Sequence, residues 1–463
     1  MPEPRHTQVL VVGGGVGGYP AAIRAAQLGL AVTLVEAGRL GGTCLVRGCI
    51  PSKALIHAAD RFAGAGSGAS LGIDTGAPTL DLAKTIGWKD GIVDRLSNGV
   101  AGLLARAKVD VVAGSATFSD GKTCTVETAD GPITLTAEHV ILATGSEPVA
   151  LPMLAFGGKI LSSTEALSMA ALPTRLAVVG AGYIGLELGI AFRKLGAEVT
   201  IVETAERILP RYDAALSRPV RRWLDHNKVA LHLGANVTGL DGAGRLTLET
   251  ANKQPLALEA DAILVTVGRR PRTQGWGLET MAVDMDGLFV KVDDQCRTSM
   301  KNVWAVGDLV GEPMLAHKAS AQGVMVAEII AGHRRHFDNG SVAAICFTEP
   351  EIVSAGLSPD EAVAAGEEIV TGQFPFSASG RALTLEAGDT GGFVRVVARK
   401  RDGRVLGIQA VGRGVAELAG EFAHALAMGA ALDDIAGTIH VHPTLGEALG
   451  EAALLARGHG LNI

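Results

Sequence analysis

The chain has 463 residues, of which 48% are hydrophobic and 19% are charged, and its formal net charge is −7. This length suggests about three domains at roughly 150 residues each, and the composition predicts large buried cores rather than disorder. The negative charge argues against nucleic acid as a partner, because phosphate binding needs clustered Lys and Arg. No apolar run reaches the roughly 18 residues of a membrane-spanning helix, and no signal peptide is recognisable. We therefore expect a soluble cytoplasmic protein, or the processed form of an organellar one.

A glycine-rich turn follows the first predicted strand. Residues 9–18 read VLVVGGGVGG, with Gly13, Gly15 and Gly18 in G-x-G-x-x-G spacing, and the next strand, LAVTLVE, ends on Glu36. Glycines at these positions allow a tight turn, close approach of the backbone to a pyrophosphate, and close packing of helix on strand. The helix N-terminus adds partial positive charge, and the acid can bind ribose hydroxyls. The segment therefore predicts a dinucleotide site.

Two of the five cysteines, Cys44 and Cys49, lie close together in GGTCLVRGCIPSK. In a regular helix their Cα atoms would be roughly 8–9 Å apart, whereas a disulfide needs about 4.4–6.8 Å. A bridge therefore requires a break in the helix, for which Gly48 is permissive and Pro51 disruptive. Closing so short a loop adds little stability, so we predict a reducible, redox-active disulfide.

The alternatives for the cysteines are weaker. A zinc site would need further ligands, and His57 is the next candidate with no second pair, so we predict no metal site. The odd number and low density of cysteines argue against a secreted disulfide framework. For Cys124, Cys296 and Cys346 the default interpretation is buried apolar packing.

Two later segments fit a flavin site. Residues 139–148, HVILATGSEP, predict a strand that leads into a glycine turn, and residues 302–323 predict a strand that ends at Gly307-Asp308 before a helix. Asp308 could bind the ribityl chain of a flavin, or it could be a helix cap or turn residue.

The first motif is repeated at residues 176–185, LAVVGAGYIG, with glycines at 180, 182 and 185. From Gly18 to Glu36 and from Gly185 to Glu203 the separation is 18 residues in both copies. Two dinucleotide sites predict an enzyme that passes electrons between two cofactors. Glu203 favours NAD, because a carboxylate would repel the 2′-phosphate of NADP. Arg207 could weaken this preference, although a loop or helix-start charge is the simpler interpretation.

The C-terminal region contains a candidate base. The segments near 343, at 391–400 and at 404–412 predict strands of a sheet. In HVHPTLGE, His442 is suited to proton transfer at neutral pH, Pro443 restricts its backbone to extended geometry, and Glu447 could fix its tautomer. Alternatively, Thr444 and Glu447 form a capping box, which would explain the acid without catalysis. His440 is interpreted as a supporting or packing residue, with substrate contact as its alternative.

These motifs together resemble a known family. GGTCLVRGCIPSK resembles the active-site signature of the pyridine nucleotide–disulfide oxidoreductases. Within that family, GCIPSK, GAGYIGLELG, MLAHKA and HVHPTLGE are similar to the enzymes that oxidise dihydrolipoamide, over essentially the whole chain. WKDGIVDRL and HPTLGE are most similar to the form that serves branched-chain 2-oxoacid dehydrogenase.

The resemblance implies an α/β fold with two Rossmann-like dinucleotide-binding domains plus a C-terminal α+β dimerisation domain. The expected bounds are 1–150 for the FAD-binding domain, 151–268 for the NAD-binding domain, 269–344 for a central segment that completes the FAD site, and 345–463 for the interface domain. It also implies oxidation of dihydrolipoamide, carried on the lipoyl domain of a 2-oxoacid dehydrogenase acyltransferase component, with reduction of NAD. The enzyme would be an obligate homodimer with composite sites, each receiving the histidine of the other subunit.

The resemblance also assigns residues. Cys44 would exchange with lipoyl sulfur, and Cys49 would lie against the isoalloxazine of FAD and pass electrons to it. His442 would be the base and Glu447 its orienting acid. Lys53 and Glu187 match the pair near the reactive nitrogen of the flavin. FAD would be bound by Gly13, Gly15, Gly18, Glu36 and Asp308, and NAD by Gly180, Gly182, Tyr183, Gly185 and Glu203. The further nucleotide-binding positions are Gly42, Thr43, Lys53, Thr144, Gly145, Gly268, Arg269, Leu315, Ala316 and His317.

Several residues depart from the family pattern. Val46 replaces the usual Asn, and Arg47 replaces a small apolar residue. Arg47 could lower the pKa of the nearby thiols, or it could be a solvated surface charge. Gly446 replaces Ser and is expected to loosen the turn before Glu447. Pro20 is unusual but is tolerated in a first helical turn.

Three other functions fit the sequence less well. An NADPH-dependent disulfide reductase of the glutathione reductase type conflicts with Glu203, where a phosphate-binding arginine is expected. Mercuric reductase would need cysteines beyond Cys346. A non-catalytic flavin-bound binding module would not need Cys44, Cys49, His442 and Glu447 together.

Overall fold

The structure is a computed structural model that describes residues 3–463, apart from the side chains of Ala69 and Ser70. The strands are β1 (Arg5–Val12), β2 (Val32–Glu36), β3 (Asp110–Ala113), β4 (Ser115–Phe118), β5 (Thr123–Thr128), β6 (Gly131–Leu142), β7 (Ser146–Pro148), β8 (Ile160–Leu161), β9 (Arg175–Val179), β10 (Glu198–Glu203), β11 (Ala230–Leu233), β12 (Asn236–Leu240), β13 (Leu246–Glu249), β14 (Pro255–Leu258), β15 (Ala262–Val265), β16 (Arg269–Pro271), β17 (Met285–Asp286), β18 (Phe289–Val290), β19 (Val303–Ala305), β20 (Ala344–Cys346), β21 (Glu351–Gly356), β22 (Ile369–Pro375), β23 (Phe393–Arg399) and β24 (Val405–Gly412). The α-helices are α1 (Gly18–Gln27), α2 (Gly42–Arg47), α3 (Cys49–Ala65), α4 (Leu82–Arg106), α5 (Ser163–Ala166), α6 (Tyr183–Lys194), α7 (Ala214–His226), α8 (Ala316–Ile330), α9 (Pro359–Ala364), α10 (Gly380–Thr384), α11 (Ala419–Ala427), α12 (Leu432–Ala436) and α13 (Glu447–Ala456).

The chain forms two compact units. The first contains the described residues up to Leu151 together with Leu161–Leu172 and Val267–Asp338. The second contains Pro152–Ile160, Pro173–Thr266 and Asn339–Ile463. Each unit is built around a parallel sheet that carries one of the two glycine motifs.

The first unit is organised around a seven-stranded sheet. Its order is β3-β2-β1-β6-β5-β4, and β19 pairs with β6. Strands β1, β2, β3, β6 and β19 run parallel, whereas β4 and β5 are antiparallel additions. The segment Val267–Asp338 belongs to this unit because its strand β19 pairs with β6 in the parallel sheet and its strand β16 pairs with β7.

Strand β1 shows why the apolar run VLVV leads into the first glycine turn. Successive side chains of a strand point to opposite faces of its sheet. Val9 and Val11 pack in a cluster that includes residues of α1 and α8, whereas Leu10 and Val12 pack in the cluster on the other face. Both faces of β1 are therefore covered, as is usual for strands of parallel sheets. Gly13 directly follows the end of this buried strand.

The second unit contains three sheets. A parallel sheet has the order β11-β10-β9-β15, with the short β8 at its edge, and a small antiparallel sheet consists of β12, β13 and β14. The C-terminal sheet is antiparallel throughout, in the order β20-β21-β24-β23-β22. Its core includes Phe374, Phe422 and Leu449, and the predicted strands near 343, at 391–400 and at 404–412 are confirmed.

The predicted fold class is confirmed: two Rossmann-like units of parallel strands and helices, and a C-terminal α+β region with an antiparallel sheet. Among the described helices, none combines the length and the apolar character that crossing a membrane requires.

Candidate active site

Cys44 and Cys49 form a disulfide with a Cα–Cα distance of 4.6 Å. The predicted break in the helix is present at Gly48, whose φ of −140° and ψ of −109° separate α2 from α3. Pro51, predicted to disrupt the helix, instead lies inside the first turn of α3. A proline is accommodated there because the first backbone N–H groups of a helix have no intrahelical acceptor. The break therefore lies at Gly48, and it brings the sulfur of Cys44 on α2 to that of Cys49, the first residue of α3.

The other three cysteines are buried free thiols. Burial raises the pKa of Cys124 and of Cys296 to about 12. The thiolate is the reactive form of cysteine, so these side chains are suited to packing rather than to redox chemistry. The ring centroid of His57, the candidate metal ligand, lies 6.2 Å from the ring centroid of Trp88.

The first glycine loop has the shape that a pyrophosphate requires. A methyl group on Gly13, whose φ is +103°, would be 2.3 Å from the carbonyl oxygen of Ala143. A methyl group on Gly18 would be 1.8 Å from the carbonyl oxygen of Gly13. At Gly15 the nearest atom is 3.6 Å away, the Cα of Gly42. The first and third glycines are thus required for packing, whereas the second leaves room for a ligand.

The second loop repeats this pattern. A methyl group on Gly180 would be 2.7 Å from the carbonyl oxygen of Thr266, and one on Gly185 would be 2.1 Å from that of Gly180. Apart from its two neighbours in the sequence, no part of the described chain lies within 4 Å of a methyl group on Gly182. Both loops therefore fit the pyrophosphate of a dinucleotide.

Each loop is fastened by the acid at the end of its second strand. The carboxylate of Glu36 accepts hydrogen bonds from the N–H groups of Gly14, at 2.6 Å, and Gly38, at 2.7 Å. The carboxylate of Glu203 accepts equivalent bonds from Ala181, at 2.7 Å, and Ala205, at 2.8 Å. Each acid therefore connects its glycine loop to the turn that follows its own strand, which is β2 for Glu36 and β10 for Glu203. This is the place where a ribose would lie.

Arg207 does not compete with Glu203 for this position. Its guanidinium donates hydrogen bonds to the carbonyl oxygens of Tyr212, at 2.7 Å, and Pro210, at 2.6 Å. The interpretation of Arg207 as a loop charge is confirmed, and Glu203 is the charge at the predicted ribose position.

Asp308 lies in a short 3-10 helix after β19 and accepts a hydrogen bond from the Ser146 hydroxyl. Arg269 donates from Nε to the Ser146 hydroxyl oxygen and from Nη2 to the Ser146 carbonyl oxygen, both at 2.8 Å. Sequence reasoning missed Ser146, although it directly follows the predicted turn residues Thr144 and Gly145. The three side chains are connected because β7 pairs with β16.

Other predicted nucleotide-binding residues also belong to the first unit. Thr144 donates its hydroxyl to the Arg272 carbonyl oxygen at 3.0 Å, and Gly268 accepts from the Val149 N–H at 3.1 Å. Gly42 and Thr43 begin α2, while Leu315, Ala316 and His317 form the start of α8. Two helix N-termini, with their partial positive charge, are thus available to an anionic ligand.

The predicted pair Lys53 and Glu187 is divided between the units. Lys53 lies on α3, in the first unit. Glu187 lies on α6, is 3% exposed, and accepts a hydrogen bond from the Phe347 N–H at 2.9 Å. Tyr183 is the first residue of the same helix and is partly exposed.

His442 and Glu447 form a hydrogen-bonded pair. Nδ1 of His442 is 2.8 Å from Oε1 of Glu447, and the His442 side chain is 81% exposed. The other carboxylate oxygen accepts from the Thr444 N–H at 2.8 Å. Burial opposes ionisation of Glu447, but the bonds from His442 and Thr444 outweigh it and hold the pKa of this carboxyl below its usual value.

The alternative capping box is formed only in part. Helix α13 begins at Glu447, the Thr444 hydroxyl donates to the Val441 carbonyl oxygen, and only the bond from the Thr444 N–H to Glu447 remains. Glu447 therefore orients the exposed imidazole as well as the start of the helix. Gly446 has helical backbone angles, with φ of −59° and ψ of −30°.

His440 supports the same segment. Its Nε2 is 3.1 Å from Oε1 of Glu421, its Nδ1 is 3.0 Å from the Thr438 carbonyl oxygen, and its side chain is 12% exposed. These contacts favour the packing interpretation of His440 over substrate contact.

Comparison with known proteins defines the class. Residues 7–323 match the family described as pyridine nucleotide-disulphide oxidoreductase, and residues 342–453 match the dimerisation domain of that family. The chain belongs to the pyridine nucleotide-disulphide oxidoreductase family. It is thus an oxidoreductase with the FAD and NAD cofactors of its family, and its dimerisation domain implies a homodimer.

Particular relatives make the comparison sharper. The chain is 57% identical to a dihydrolipoyl dehydrogenase of Pseudomonas aeruginosa over 467 residues, which cover 100% of both chains. It is 44% identical to a dihydrolipoyl dehydrogenase of Geobacillus stearothermophilus, over 99% of this chain and 98% of the relative. The crystal structure of LpdA from Mycobacterium tuberculosis superposes with a TM-score of 0.88 at 27% identity, covering 96% of this chain and 99% of that one. The branched-chain form is not specified by these names and stays a prediction.

Proposed function

We propose that this enzyme oxidises a protein-bound dihydrolipoyl group to the lipoyl disulfide and reduces NAD to NADH, within a 2-oxoacid dehydrogenase complex. The observation that carries the proposal is the Cys44–Cys49 disulfide, in a chain that is 57% identical over its full length to a dihydrolipoyl dehydrogenase. A short-loop bridge of this kind is suited to exchange with a dithiol.

The chemistry begins with a proton. A thiolate must form before it can attack a disulfide, and His442 is the group we assign to accept the lipoyl thiol proton. Glu447 fixes the tautomer by accepting from Nδ1, which leaves Nε2 free to receive that proton. The low pKa of Glu447 keeps the carboxylate ionised, so that it stabilises the imidazolium that forms.

The thiol–disulfide exchange then proceeds in two steps. The lipoyl thiolate attacks Sγ of Cys44, the Cys44–Cys49 bond breaks, and Cys49 leaves as a thiolate. The second lipoyl thiol, once deprotonated, attacks the mixed disulfide and releases Cys44, so that the lipoyl group is oxidised by two electrons and the cysteine pair is reduced. FAD, when bound, supplies the two-electron carrier between the cysteine thiols and NAD.

The nucleotide sites are assigned from the two glycine loops. The positions that would hold FAD are Gly13, Gly15, Gly18, Glu36 and Asp308. The further nucleotide-binding positions are Gly42, Thr43, Lys53, Thr144, Gly145, Gly268, Arg269, Leu315, Ala316 and His317. NAD would be held by Gly180, Gly182, Tyr183, Gly185 and Glu203, with Tyr183 over the nicotinamide. Glu187 would pair with Lys53 near the reactive nitrogen of the flavin. The carboxylate of Glu203 supports NAD over NADP, because it would repel a 2′-phosphate.

We further propose that each active site is composite. His442 is highly exposed, and the flanking apolar residues Ile439 and Val441 are 94% and 70% exposed, as expected for an interface that a second subunit covers. In the dimer, His442 of the partner subunit would accept the proton at Cys44.

The low cysteine content and the three buried free thiols support a cytoplasmic location for this dimer.

Steady-state turnover tests the substrate assignment. The purified protein is offered dihydrolipoamide with NAD, dihydrolipoamide with NADP, and glutathione disulfide with NADPH. We expect rapid NADH formation in the first assay and little turnover in the others. Turnover confined to glutathione disulfide with NADPH would contradict the proposal, and no turnover in a FAD-loaded dimer would favour the binding-module alternative.

Mixed dimers test the composite site. Cys44→Ser and His442→Gln homodimers should each be nearly inactive. If each site combines Cys44 of one subunit with His442 of the other, random exchange of subunits should restore about a quarter of wild-type turnover, because half of the dimers are then mixed and each has one intact site. Sites contained within single subunits predict no restoration.

A further inference from the structure

The segment that follows the acid of the second dinucleotide motif is attached to the second glycine loop. This segment, residues 204–213, connects β10 to α7. Its Leu209 N–H donates a hydrogen bond to the Ala181 carbonyl oxygen at 3.0 Å, and the N–H of the same Ala181 is bound by Glu203. Residues 204–213, the second glycine loop and Glu203 therefore form one connected arrangement at the proposed NAD site.

Asp213 ends this segment and accepts two hydrogen bonds. Its Oδ1 accepts from the Ala215 N–H at 2.7 Å, which makes Asp213 the N-cap of α7. Its Oδ2 accepts from Nη2 of Arg395 at 2.6 Å. Burial raises the pKa of Asp213, but the bonds from Ala215 and Arg395 outweigh it and hold this pKa below its ordinary value. Asp213 and Arg395 therefore form an ion pair at neutral pH.

Arg395 belongs to the C-terminal antiparallel sheet, on β23. In the ion pair, the side chain of Arg395 is 9% exposed and that of Asp213 is 14% exposed. Nε of Arg395 donates to Oε1 of Gln409 at 3.0 Å, and Gln409 is the fully buried residue opposite it on β24. Nε2 of Gln409 in turn donates to the Leu357 carbonyl oxygen at 2.8 Å. The guanidinium is therefore held by the C-terminal sheet on one side and by Asp213 on the other.

A buried ion pair of this kind serves geometry better than stability. The cost of removing two charges from water offsets much of their attraction, and apolar residues of similar volume would join two elements at least as well. Loss of either partner, however, leaves a buried charge unpaired, so the pair favours one arrangement of the elements that carry it. Here those elements are the C-terminal sheet and the end of the segment that follows Glu203.

Arg399 provides a contrast on the same strand. Its Nε is 3.0 Å from Oε2 of Glu367, its Nη1 is 3.2 Å from Oδ2 of Asp402, and its side chain is 19% exposed. Both of these partners lie in the C-terminal part of the chain, next to β22 and β23. The two arginines therefore place equal charge on one strand, and of the two it is Arg395 that pairs with the segment at the proposed NAD site.

We propose that Arg395 is a positioning residue for NAD. Through Asp213 it holds residues 204–213, and with them Glu203 and the second glycine loop, in the arrangement that binds the dinucleotide. The inference rests on the NAD site that is proposed at the second glycine loop. It assigns control of NAD affinity to a residue of the region that matches the dimerisation domain. Because apparent affinity falls with the fraction of molecules in which a site is formed, a loosened segment weakens NAD binding and leaves the chemical step intact.

Binding of ADP-ribose to the FAD-loaded dimer, measured by calorimetry, provides the test. This probe contains the adenosine and the pyrophosphate of NAD but no nicotinamide. Arg395→Met should raise the Kd for ADP-ribose by about tenfold, the scale of a hydrogen bond between charged groups. The KM for NAD should rise in parallel, while kcat and the KM for dihydrolipoamide stay within about twofold of wild type. Arg399→Met is the matched control and should change the Kd by less than about twofold, because independent sites do not couple.

Three further variants separate positioning from folding. Asp213→Asn keeps a good N-cap for α7 and removes the ion pair, so it should raise the Kd as Arg395→Met does, and it carries the test if Arg395→Met does not fold. Arg395→Lys keeps the charge and should recover part of the affinity. In the double variant of Arg395→Met with Asp213→Asn the two losses should not add, because both substitutions remove the same contact.

Three results would overturn the inference. They are a Kd for ADP-ribose that is unchanged in both Arg395→Met and Asp213→Asn while their unfolding temperatures fall or stay the same, an equal loss in Arg399→Met, and additive losses in the double variant. Wild-type dimer that bound no ADP-ribose would instead contradict the NAD site on which the inference rests.

Discussion

The two glycine loops share their packing and differ in what covers them. In both, the first and third glycines contact backbone carbonyl groups, and the terminal acid ties the loop to the next turn. The first loop is covered by residues 41 and 42, which pair with it and lead directly into the disulfide-bearing helix. The second loop is open at Gly182. One arrangement suits a cofactor that stays bound, and the other suits a nucleotide that must enter and leave at each turnover.

The largest loss of activity should come from substitution of Cys44, which lies on the helix that follows the first loop. Cys44→Ser removes the sulfur that exchanges with the lipoyl dithiol, and the loss of a covalent nucleophile should lower dihydrolipoamide–NAD turnover by about 10³-fold or more. Reduction of ferricyanide by NADH, which needs the nucleotide sites alone, should persist. Dihydrolipoamide turnover within about tenfold of wild type would show that the electrons do not pass through Cys44.

Matched glycine substitutions separate the two nucleotides. Gly18→Ala and Gly185→Ala each place a methyl group within 2.1 Å of a carbonyl oxygen. Because overpacking of this kind costs about 1–3 kcal/mol, each should weaken its own nucleotide by about 10- to 100-fold. Gly18→Ala should purify with little FAD, and Gly185→Ala should keep FAD while its KM for NAD rises.

A control on the open side sharpens this result. Gly182→Ala has free space in the protein, so its unfolding temperature should match wild type while its affinity for NAD falls. Loss of FAD from Gly185→Ala, or retention of NAD affinity in Gly182→Ala, would contradict the assignment of the loops.

Exchange of the acid in the second loop should have a smaller effect. Glu203→Gln removes the charge that repels a 2′-phosphate and keeps one of the two oxygens that accept the loop N–H groups of Ala181 and Ala205. We expect the ratio of kcat/KM for NAD over NADP to fall by about tenfold, the scale of one charged contact. Arg207→Met should leave that ratio unchanged, because Arg207 is bonded within its own loop. A ratio that responds to Arg207 and not to Glu203 would reverse the assignment.

The smallest effect concerns stability at acid pH. Burial raises the pKa of Glu447, but the hydrogen bonds from His442 and Thr444 outweigh it and hold this pKa below its ordinary value in the folded protein. A lowered pKa stabilises the fold above the unfolded value, and this contribution is lost as the pH falls through the folded value. The free energy of unfolding of wild type should therefore exceed that of Glu447→Gln at pH 7 and approach it below about pH 4. Urea unfolding at both pH values measures this, and a difference that grows towards acid would contradict the sign.

The sequence was sufficient where local chemistry determines geometry. The glycine spacing, the acids Glu36 and Glu203, and the break before Cys49 are all set by residues within one βαβ unit or one turn. Pro51 was misjudged because its cost depends on where the helix begins, which the sequence did not settle. The contact of Ser146 with Asp308 and Arg269 could not be predicted, because it depends on the pairing of strands that are far apart in the chain. The position of Arg47, whose Nη2 would be 4.0 Å from a methyl group on Gly38, could not be predicted either, because it depends on how α2 packs beside the turn after β2.

The central claim is that electrons from the dithiol pass through Cys44 and Cys49 to NAD. Alkylation by iodoacetamide, with mass spectrometry of each cysteine, tests it on the wild-type enzyme under anaerobic conditions, and the buried Cys124, Cys296 and Cys346 serve as internal controls. We expect Cys44 and Cys49 to be protected in the oxidised enzyme, alkylated after dihydrolipoamide is added, and protected again when NAD follows before the reagent. If dihydrolipoamide leaves both cysteines protected, or if NAD does not restore protection, the proposed route is wrong.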